Sequence, residues 1–498
     1  MKIFSAIQIK NWDAVTIVNE PIASIDLMER AATACYHWLV GHNYTQKHIL
    51  VFCGKGNNGG DGLAIARLLI KNNCIVAVYI LEFGNIGTPD FQANLTKLHE
   101  CSTDIHFIQS QDFFPSIPTD GVVIDALFGT GLNKPLEGIS AALVNHINSS
   151  AYEIIAIDLP SGLAADSSSK GNTIIKATQT LTFQNYKLAF LLAENEHYCG
   201  DVHLIHIGLH QQFEKEEESS FELTDEIIIK SIYKPRKKFS HKGTYGHAAL
   251  ICGSYGMMGA AVLSAKACLK GGVGKLTCFI PECGYTILQT AIPEAMCLVS
   301  GEKYITSVND INKFDAAGIG PGIGLYPAHA AMLKEIFQVS SKPMLIDADA
   351  LNIIAEKKDF FTKVPPLSII TPHPKEFERL FGKTENDFAR LQLALQKSKE
   401  YNIFIILKGH FTFISTPEGK GYFNNTGNSG MATAGSGDVL SGIITGLLAQ
   451  AYTPIQACLL GVYIHGLAGD IAAYKFSQEA MIAGDITACL GMAFKTLN

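Results

Sequence analysis

Short apolar runs that pass directly into glycine-rich or acid-tipped loops, and from there into helices, recur along this chain and leave it few folds. Residues 48–53 form such a run and lead into GKGNNGGDG, after which a helical pattern resumes at 63–71. Residues 122–126 repeat it, ending in Asp125 before LFGTGLNKPLEG, and residues 154–157 repeat it again, ending in Asp158 before LPSGL. Strands that deliver ligand-binding loops from their carboxyl ends define an open α/β sheet, so these loops are expected to converge on one site. Ahead of them, residues 24–40 open with Ser24 as a cap and place Ile25, Met28, Ala32, Cys35, Tyr36 and Leu39 on one face of a docking helix.

The pattern stops after Gly208, and the polar stretch QQFEKEEESS at 211–220 reads as a linker. A second α/β block then begins, with strands expected at 247–252, 274–279, 316–319, 344–346, 369–370 and 403–407. GSYGMMGA, GPGIG, the acids Asp347 and Asp349, TPHPKEFERLFG and KGHFTF follow them in turn. The expected domains are 1–213 and 221–498.

With 498 residues, 47% hydrophobic and 17% charged, the chain can bury two or three cores. A net charge of −7 supplies no field for a nucleic acid or an anionic membrane, so any phosphate must be held by local geometry. The twelve cysteines include no Cys-x-x-Cys pair and read as small buried hydrophobes of a reducing cytosol. Lys10 and Asp13 interrupt the amino-terminal apolar residues, which argues against a signal peptide and for a cytoplasmic protein. No charged side chain lies between Asp438 and Asp470, but Tyr452, Thr453 and Pro454 divide that stretch, so two buried helices are expected there rather than a membrane span.

The stretch NNTGNSGMATAGSGDVLSGIIT at 424–445 reads as an anion hole at a helix start. Asp438 beside such a hole is either a proton acceptor or a helix cap. Lys408 and Gly409 end a strand within reach of that loop, which suits a nucleotide phosphate, and His373 is held between Pro372 and Pro374. In the first block, Asn57, Asn58 and Asp61 offer polar oxygens among backbone N–H groups, or else belong to a surface turn. Asp125, Asp158, Ser161 and Asn58 form a hard-oxygen set that favours an alkali or alkaline-earth ion over zinc. His203 and His206 would point to opposite faces of a strand.

LMERA, NNGGDG, DALFGTGL and DLPSGL resemble the NAD(P)H-hydrate epimerases. HKGTYG, GPGIG, DADALN, TPHPKEFERL, KGHFT and GMATAGSGDVLSG resemble the ADP-dependent NAD(P)H-hydrate dehydratases. The whole chain is thus similar to the bifunctional repair enzymes of hydrated NADH and NADPH. The resemblance implies an N-terminal Rossmann-like three-layer α/β domain followed by a ribokinase-like α/β domain. It implies that Asn57, Asn58, Gly59, Gly60, Asp61, Gly129, Thr130, Gly131, Leu132, Asn133, Lys134, Pro135 and Asp158 hold the hydrated nucleotide for epimerisation, Asp158 also acting in catalysis. Asn58, Asp125 and Ser161 would bind potassium. In the second domain Ala260, Gly322, His373 and Asp438 would hold the substrate, with Asp438 catalytic. Lys408, Gly409, His410, Phe411, Thr412 and Gly437 would bind ADP, which enters with magnesium. A homo-oligomer with no nucleic-acid or membrane partner is expected.

The alternative class is a ribokinase-like kinase of a small molecule such as a vitamin precursor, fused to a non-catalytic nucleotide-binding module.

Overall fold

The strand Ile49–Cys53 is buried at every position, as a parallel strand covered on both faces must be. In the computed structural model, which describes residues 1–151 and 153–497, it lies inside a seven-stranded sheet. The order is Ile105–Ile108, Val76–Leu81, Ile49–Cys53, Val122–Ala126, Glu153–Ile157, Gln179–Phe183 and Asp201–Ile205, with every pair parallel. The direction of winding reverses between Ile49–Cys53 and Val122–Ala126, which opens a crevice at the carboxyl ends of these two strands. Helices Ser24–Gly41, Asn57–Lys71 and Pro89–His99 pack into one face of the core, and helix Gly138–Ser150 packs into the other through Leu143, Val144 and Ile147.

Three local expectations are corrected in this unit, which contains Lys2–Ser219. Ser24 is not a cap: Ala23 holds the N-cap position of Ser24–Gly41 with no side-chain bond, while the Ser24 hydroxyl donates to Asp90 at 2.6 Å. The buried face of that helix uses Leu27 and Ala31 where Ile25 and Tyr36 were expected. An earlier helix, Ala6–Asn19, went unread; Ser5 and Gln8 cap it reciprocally and Trp12 is its buried anchor. The expected linker contains a further helix, Gln211–Glu216, because Phe213 stacks on Trp12 with ring centroids 5.7 Å apart and meets Phe4 edge-on.

The other unit contains Ser220–Glu385 and Ala389–Asn498. Its strands run in the order Phe221–Thr224, Gly421–Asn424, Phe413–Ser415, Phe404–Leu407, Ile369–Ile370, Met344–Ile346, Ala316–Ile319, His247–Ile251, Lys275–Ile280 and Met296–Val299. Phe413–Ser415 is antiparallel to both neighbours and the other pairs are parallel. Here the winding reverses between His247–Ile251 and Ala316–Ile319. Helices Met258–Lys270, Ser436–Ala449, Pro454–Phe476 and Ala483–Lys495 share one apolar core with the sheet. Pro454–Phe476 is long and apolar enough to cross a membrane, yet 72% of its most apolar window is buried inside the protein. The break before it is a capping box made by Thr453 and Gln456. None of the twelve cysteines is in a disulfide.

Candidate functional site

Helix Asn57–Lys71 starts at Asn57, so NNGGD is the helix's first turn rather than a free loop. Its N-cap, Gly56, makes no side-chain bond, and the first N–H groups face the crevice end of the sheet unbonded by a cap. Close approach dictates the glycines: a Cβ on Gly59 would lie 1.8 Å from the Gly54 carbonyl oxygen, and one on Gly54 would lie 2.0 Å from that of Leu127. The loops leaving the two switch-point strands therefore nest backbone on backbone. Asn58 lies against this junction, its Cγ 3.2 Å from where a Cβ of Gly129 would sit, and both its amide atoms are buried without a partner. From Thr130 to Pro135 the second loop is half-buried or exposed and forms the rim.

Asp125 is fully buried and bridges loops instead of capping a helix. It accepts from Ser161 N at 2.8 Å, from the Ser161 hydroxyl at 2.6 Å and from Leu127 N at 3.2 Å, and that hydroxyl also accepts from Phe128 N at 2.8 Å. Burial pushes the Asp125 carboxyl up to about 6 against the pull of these bonds. Asp158 is the centre of a three-residue turn, closed by Leu159 N donating to Ile157 O at 2.8 Å, and its φ is +64°, a strained value for a residue with a side chain. The Lys187 ammonium, fully buried, donates to Asp158 Oδ1 at 2.6 Å. Two further acids join this group. Burial, then the charges of Asp158 and Asp13, push the Asp61 carboxyl well above its ordinary range. Burial and the charge of Asp158 raise Asp13 to about 7, with Lys187 opposing.

Lys187 and Asp13 were missed in the sequence. Lys187 left one signal, a lone cation in the apolar stretch NYKLAFLL, whereas Asp13 left none, since its helix was not read. His203 bonds Gln179 at 2.6 Å and His206 is exposed, in keeping with opposite faces. Among the described residues no group of three or more His, Cys, Asp or Glu could hold a metal ion. Asn58, whose unpartnered amide oxygen is buried against Gly129, and the Asp125 and Ser161 oxygens held at the adjacent Phe128 are the hard donors that suit an alkali cation.

In the other unit the switch-point loops are stitched by Gly253 N donating to Pro321 O at 2.9 Å and the Ser254 hydroxyl to Gly322 O at 2.8 Å. Gly322 has φ +63°, and a Cβ there would come within 2.9 Å of Ala260 Cβ, so these two expected substrate contacts adjoin. Helix Ser436–Ala449 begins after Gly435, whose φ of +89° makes the turn, and no side chain caps it. Asp438 stands in its first turn, and its carboxylate makes no hydrogen bond among the described residues, so it is not the cap. Burial pushes its carboxyl up to about 6, Asp347 and Asp349 add to the rise, and Lys408 opposes it.

Lys408 Nζ lies 3.1 Å from Asp347 Oδ1 and 3.8 Å from Glu376 Oε2. A Cβ on Gly437 would stand 3.4 Å from that Nζ and 3.8 Å from Asp347 Oδ2. Lys408, Gly437, Asp438 and Asp347, a strand-end acid to which the sequence alone assigns no site role, thus meet at one helix start, where an anion would find a cation and free N–H groups. His373 caps helix Pro374–Phe381: Nδ1 accepts from Lys375 N at 3.1 Å and Glu376 N at 3.2 Å, which leaves the ring proton on Nε2. Burial lowers its pKa, keeping the ring neutral. Gly409, His410, Phe411 and Thr412 form a turn beyond Lys408, held by the Thr412 hydroxyl donating to Gly409 O at 3.0 Å, with His410 exposed.

Residues 248–490 match the family profile described as NAD(P)H-hydrate dehydratase, and residues 24–189 match that of the YjeF-related protein N-terminus. The bifunctional NAD(P)H-hydrate repair enzyme Nnr of Moorella thermoacetica is 34% identical, the alignment covering 100% of this chain and 97% of that one. The chain belongs to the family of bifunctional NAD(P)H-hydrate repair enzymes. The Escherichia coli repair enzyme is 33% identical over 93% of this chain and 88% of its own. An ADP/ATP-dependent NAD(P)H-hydrate dehydratase from Bacillus subtilis, co-crystallised with ATP/Mg2+, superposes with a TM-score of 0.50 at 29% identity, covering 56% of this chain and 99% of that one. A ribokinase-like superfamily protein from Enterococcus faecalis superposes equally, at 27% identity. This repair enzyme is accordingly a bifunctional isomerase and lyase, an α/β epimerase domain joined to a ribokinase-like dehydratase domain.

Proposed function

We propose that the unit beginning at Ser220 dehydrates the S form of hydrated NADH and NADPH at the expense of ADP, and that the unit ending at Ser219 interconverts the R and S forms. The observation that carries this reading is the meeting at one helix start of Lys408, Gly437 and Asp438, whose carboxylate is unbonded among the described residues. ADP lies with its phosphates on Lys408, the turn through Gly409, His410, Phe411 and Thr412, and Gly437, while Ala260, Gly322, His373 and Asp438 hold the hydrated ring. Asp438 takes the proton of the C6 hydroxyl as that oxygen attacks the terminal phosphorus of ADP, and AMP leaves with the bridging oxygen's electron pair. The C6 phosphate then departs with its bonding pair, the ring nitrogen lone pair fills the gap, and loss of the C5 proton restores the dihydronicotinamide. Magnesium, with which the Bacillus subtilis dehydratase was co-crystallised alongside ATP, would enter with ADP and supply charge neutralisation on the phosphates.

In the epimerase, Asn57, Asn58, Gly59, Gly60 and Asp61, the rim from Gly129 to Pro135 and Asp158 hold the nucleotide, and Asn58, Asp125 and Ser161 supply oxygens to potassium. We place the enzyme in the cytoplasm as a homo-oligomer, with the boundary between activities in the region 213–221. The protein should convert hydrated NADH to NADH, read by dihydronicotinamide absorbance, with AMP and phosphate released in equal amounts. A stable phosphorylated product, or turnover without nucleotide, would sink the dehydratase reading. Potassium should accelerate epimerisation over sodium, and equal rates in the two salts would remove potassium from it.

A further inference from the structure

Lys187 belongs to none of the glycine motifs, yet the strand end at Asp158 is built around it. Its ammonium has three donors and uses them all, on Asp158 Oδ1 at 2.6 Å, the Thr182 hydroxyl at 2.7 Å and Phe183 O at 2.9 Å. With no exposed surface and no spare N–H, it has nothing left to offer a substrate. Burying an ammonium is costly unless it is fully paired, and this one is paired through a residue held in a strained turn, so two local costs are borne at the same point.

The pairing makes Asp158 asymmetric. Oδ1 accepts from Lys187 and, at 3.3 Å, from Phe183 N, whereas Oδ2 accepts no hydrogen bond among the described residues. The titratable groups that sense Asp158 come from other elements: Asp61 from helix Asn57–Lys71, Asp13 from helix Ala6–Asn19 and Cys35 from helix Ser24–Gly41. Asp90 adds to the charge felt by Asp61, and Lys187 is the cation that opposes Asp158 at Asp13.

We propose that Lys187 is a positioning residue for epimerisation, which fixes the Asp158 carboxylate through Oδ1 and leaves Oδ2 free for the C6 hydroxyl. The proposal rests on the reading of Asp158 as a catalytic group.

The test uses the full chain without nucleotide, so that only epimerisation proceeds, and follows (R)-NADHX by chromatographic separation of the epimers from about pH 5 to about pH 9, corrected for the uncatalysed rate. Lys187→Met should lower kcat at neutral pH about 100-fold with KM nearly unchanged, and move the acid limb of the profile up by roughly one pH unit or more. Lys187→Arg, which keeps the charge, should leave that limb where it is. A wild-type rate in Lys187→Met, or a loss with the limb unmoved, overturns the proposal. Should Lys187→Met fail to fold, an upward shift of the limb in Lys187→Arg overturns it as well. Asp158→Asn, measured alongside, separates the two levels: full activity there sinks the reading of Asp158 itself, whereas a crippled Asp158→Asn beside an unaffected Lys187→Met sinks only the role given to Lys187.

Discussion

Lys408 is committed to Asp347, 3.1 Å away, and this leaves the Asp438 carboxyl at the same helix start with burial, like charge and, among the described residues, no hydrogen-bond partner, the charge of Lys408 opposing only in part. A carboxyl so placed keeps a proton more readily than a free one, and its value of about 6 sets a working range. In the proposed role of proton acceptor Asp438 acts in its ionised form, so the rate of dehydration should fall as pH drops through about 6 and level off above it. Asp438→Asn should retain ADP affinity while turnover falls by roughly two to four orders of magnitude. Turnover of Asp438→Asn at the wild-type rate would return Asp438 to a structural role.

The ion pair itself is open to measurement. Asp347 is almost wholly buried, and the Ser441 hydroxyl donates to its other oxygen. Lys408→Met should therefore leave an uncompensated buried charge and cost about 2–4 kcal/mol in chemical denaturation, with ADP binding weakened at least about tenfold. The double variant Lys408→Met with Asp347→Asn should regain most of that stability but not the ADP affinity. A double variant no more stable than the single one would show that the pair does not hold this region.

Gly59→Ala should disable epimerisation and spare dehydration. The added methyl would have to sit 1.8 Å from the Gly54 carbonyl oxygen, which is backbone and cannot swing aside. Separate assays of the two activities on one preparation decide this, and an intact epimerase would mean that the nested loops can part.

Asp13 gives a stability prediction with a definite sign. Its carboxyl is raised to about 7 in the folded protein, so the folded state holds this proton more tightly than the unfolded chain does. The contribution of Asp13 to stability is most favourable below the ordinary carboxylate range, declines as pH rises through the interval from 3.8 to about 7, and is fully lost above it. Asp13→Asn, which mimics the neutral acid, should melt at nearly the wild-type temperature near pH 4 and above it near pH 8. Scanning calorimetry at both pH values checks it, and an equal difference at both would mean that the fold does not hold half-buried Asp13 as a neutral acid.

Much of both sites is legible in the sequence because glycine runs and strand-terminal acids are short-range signals. Asp125, Asp158 and Asp347 each close a run of buried apolar residues, and a carboxylate there needs a partner. What escaped depends on distance along the chain. Lys187 acquires meaning only from Asp158, which lies 29 residues earlier. The NNGGD segment reads as a loop on intrinsic preference, but burial of Gly59 and Gly60 against Gly54 and Met28 makes it helical. Helix Ala6–Asn19 buries only Trp12 and Thr16, too narrow a stripe to show as periodicity, and Gln211–Glu216 exists through one ring, Phe213, that only the fold brings to Trp12.

The two sheets send their chemistry out from the carboxyl ends of their strands, and the opposite ends are thereby released from it. The turn in which Gly121 N donates to Pro118 O, with Thr119 and Asp120 exposed, enters Val122–Ala126 from that opposite end, roughly 16 Å of strand away from the loops that nest around Gly54. A fluorophore or an inserted epitope carried at Thr119 or Asp120 would report on the epimerase fold while the reacting groups turn over undisturbed.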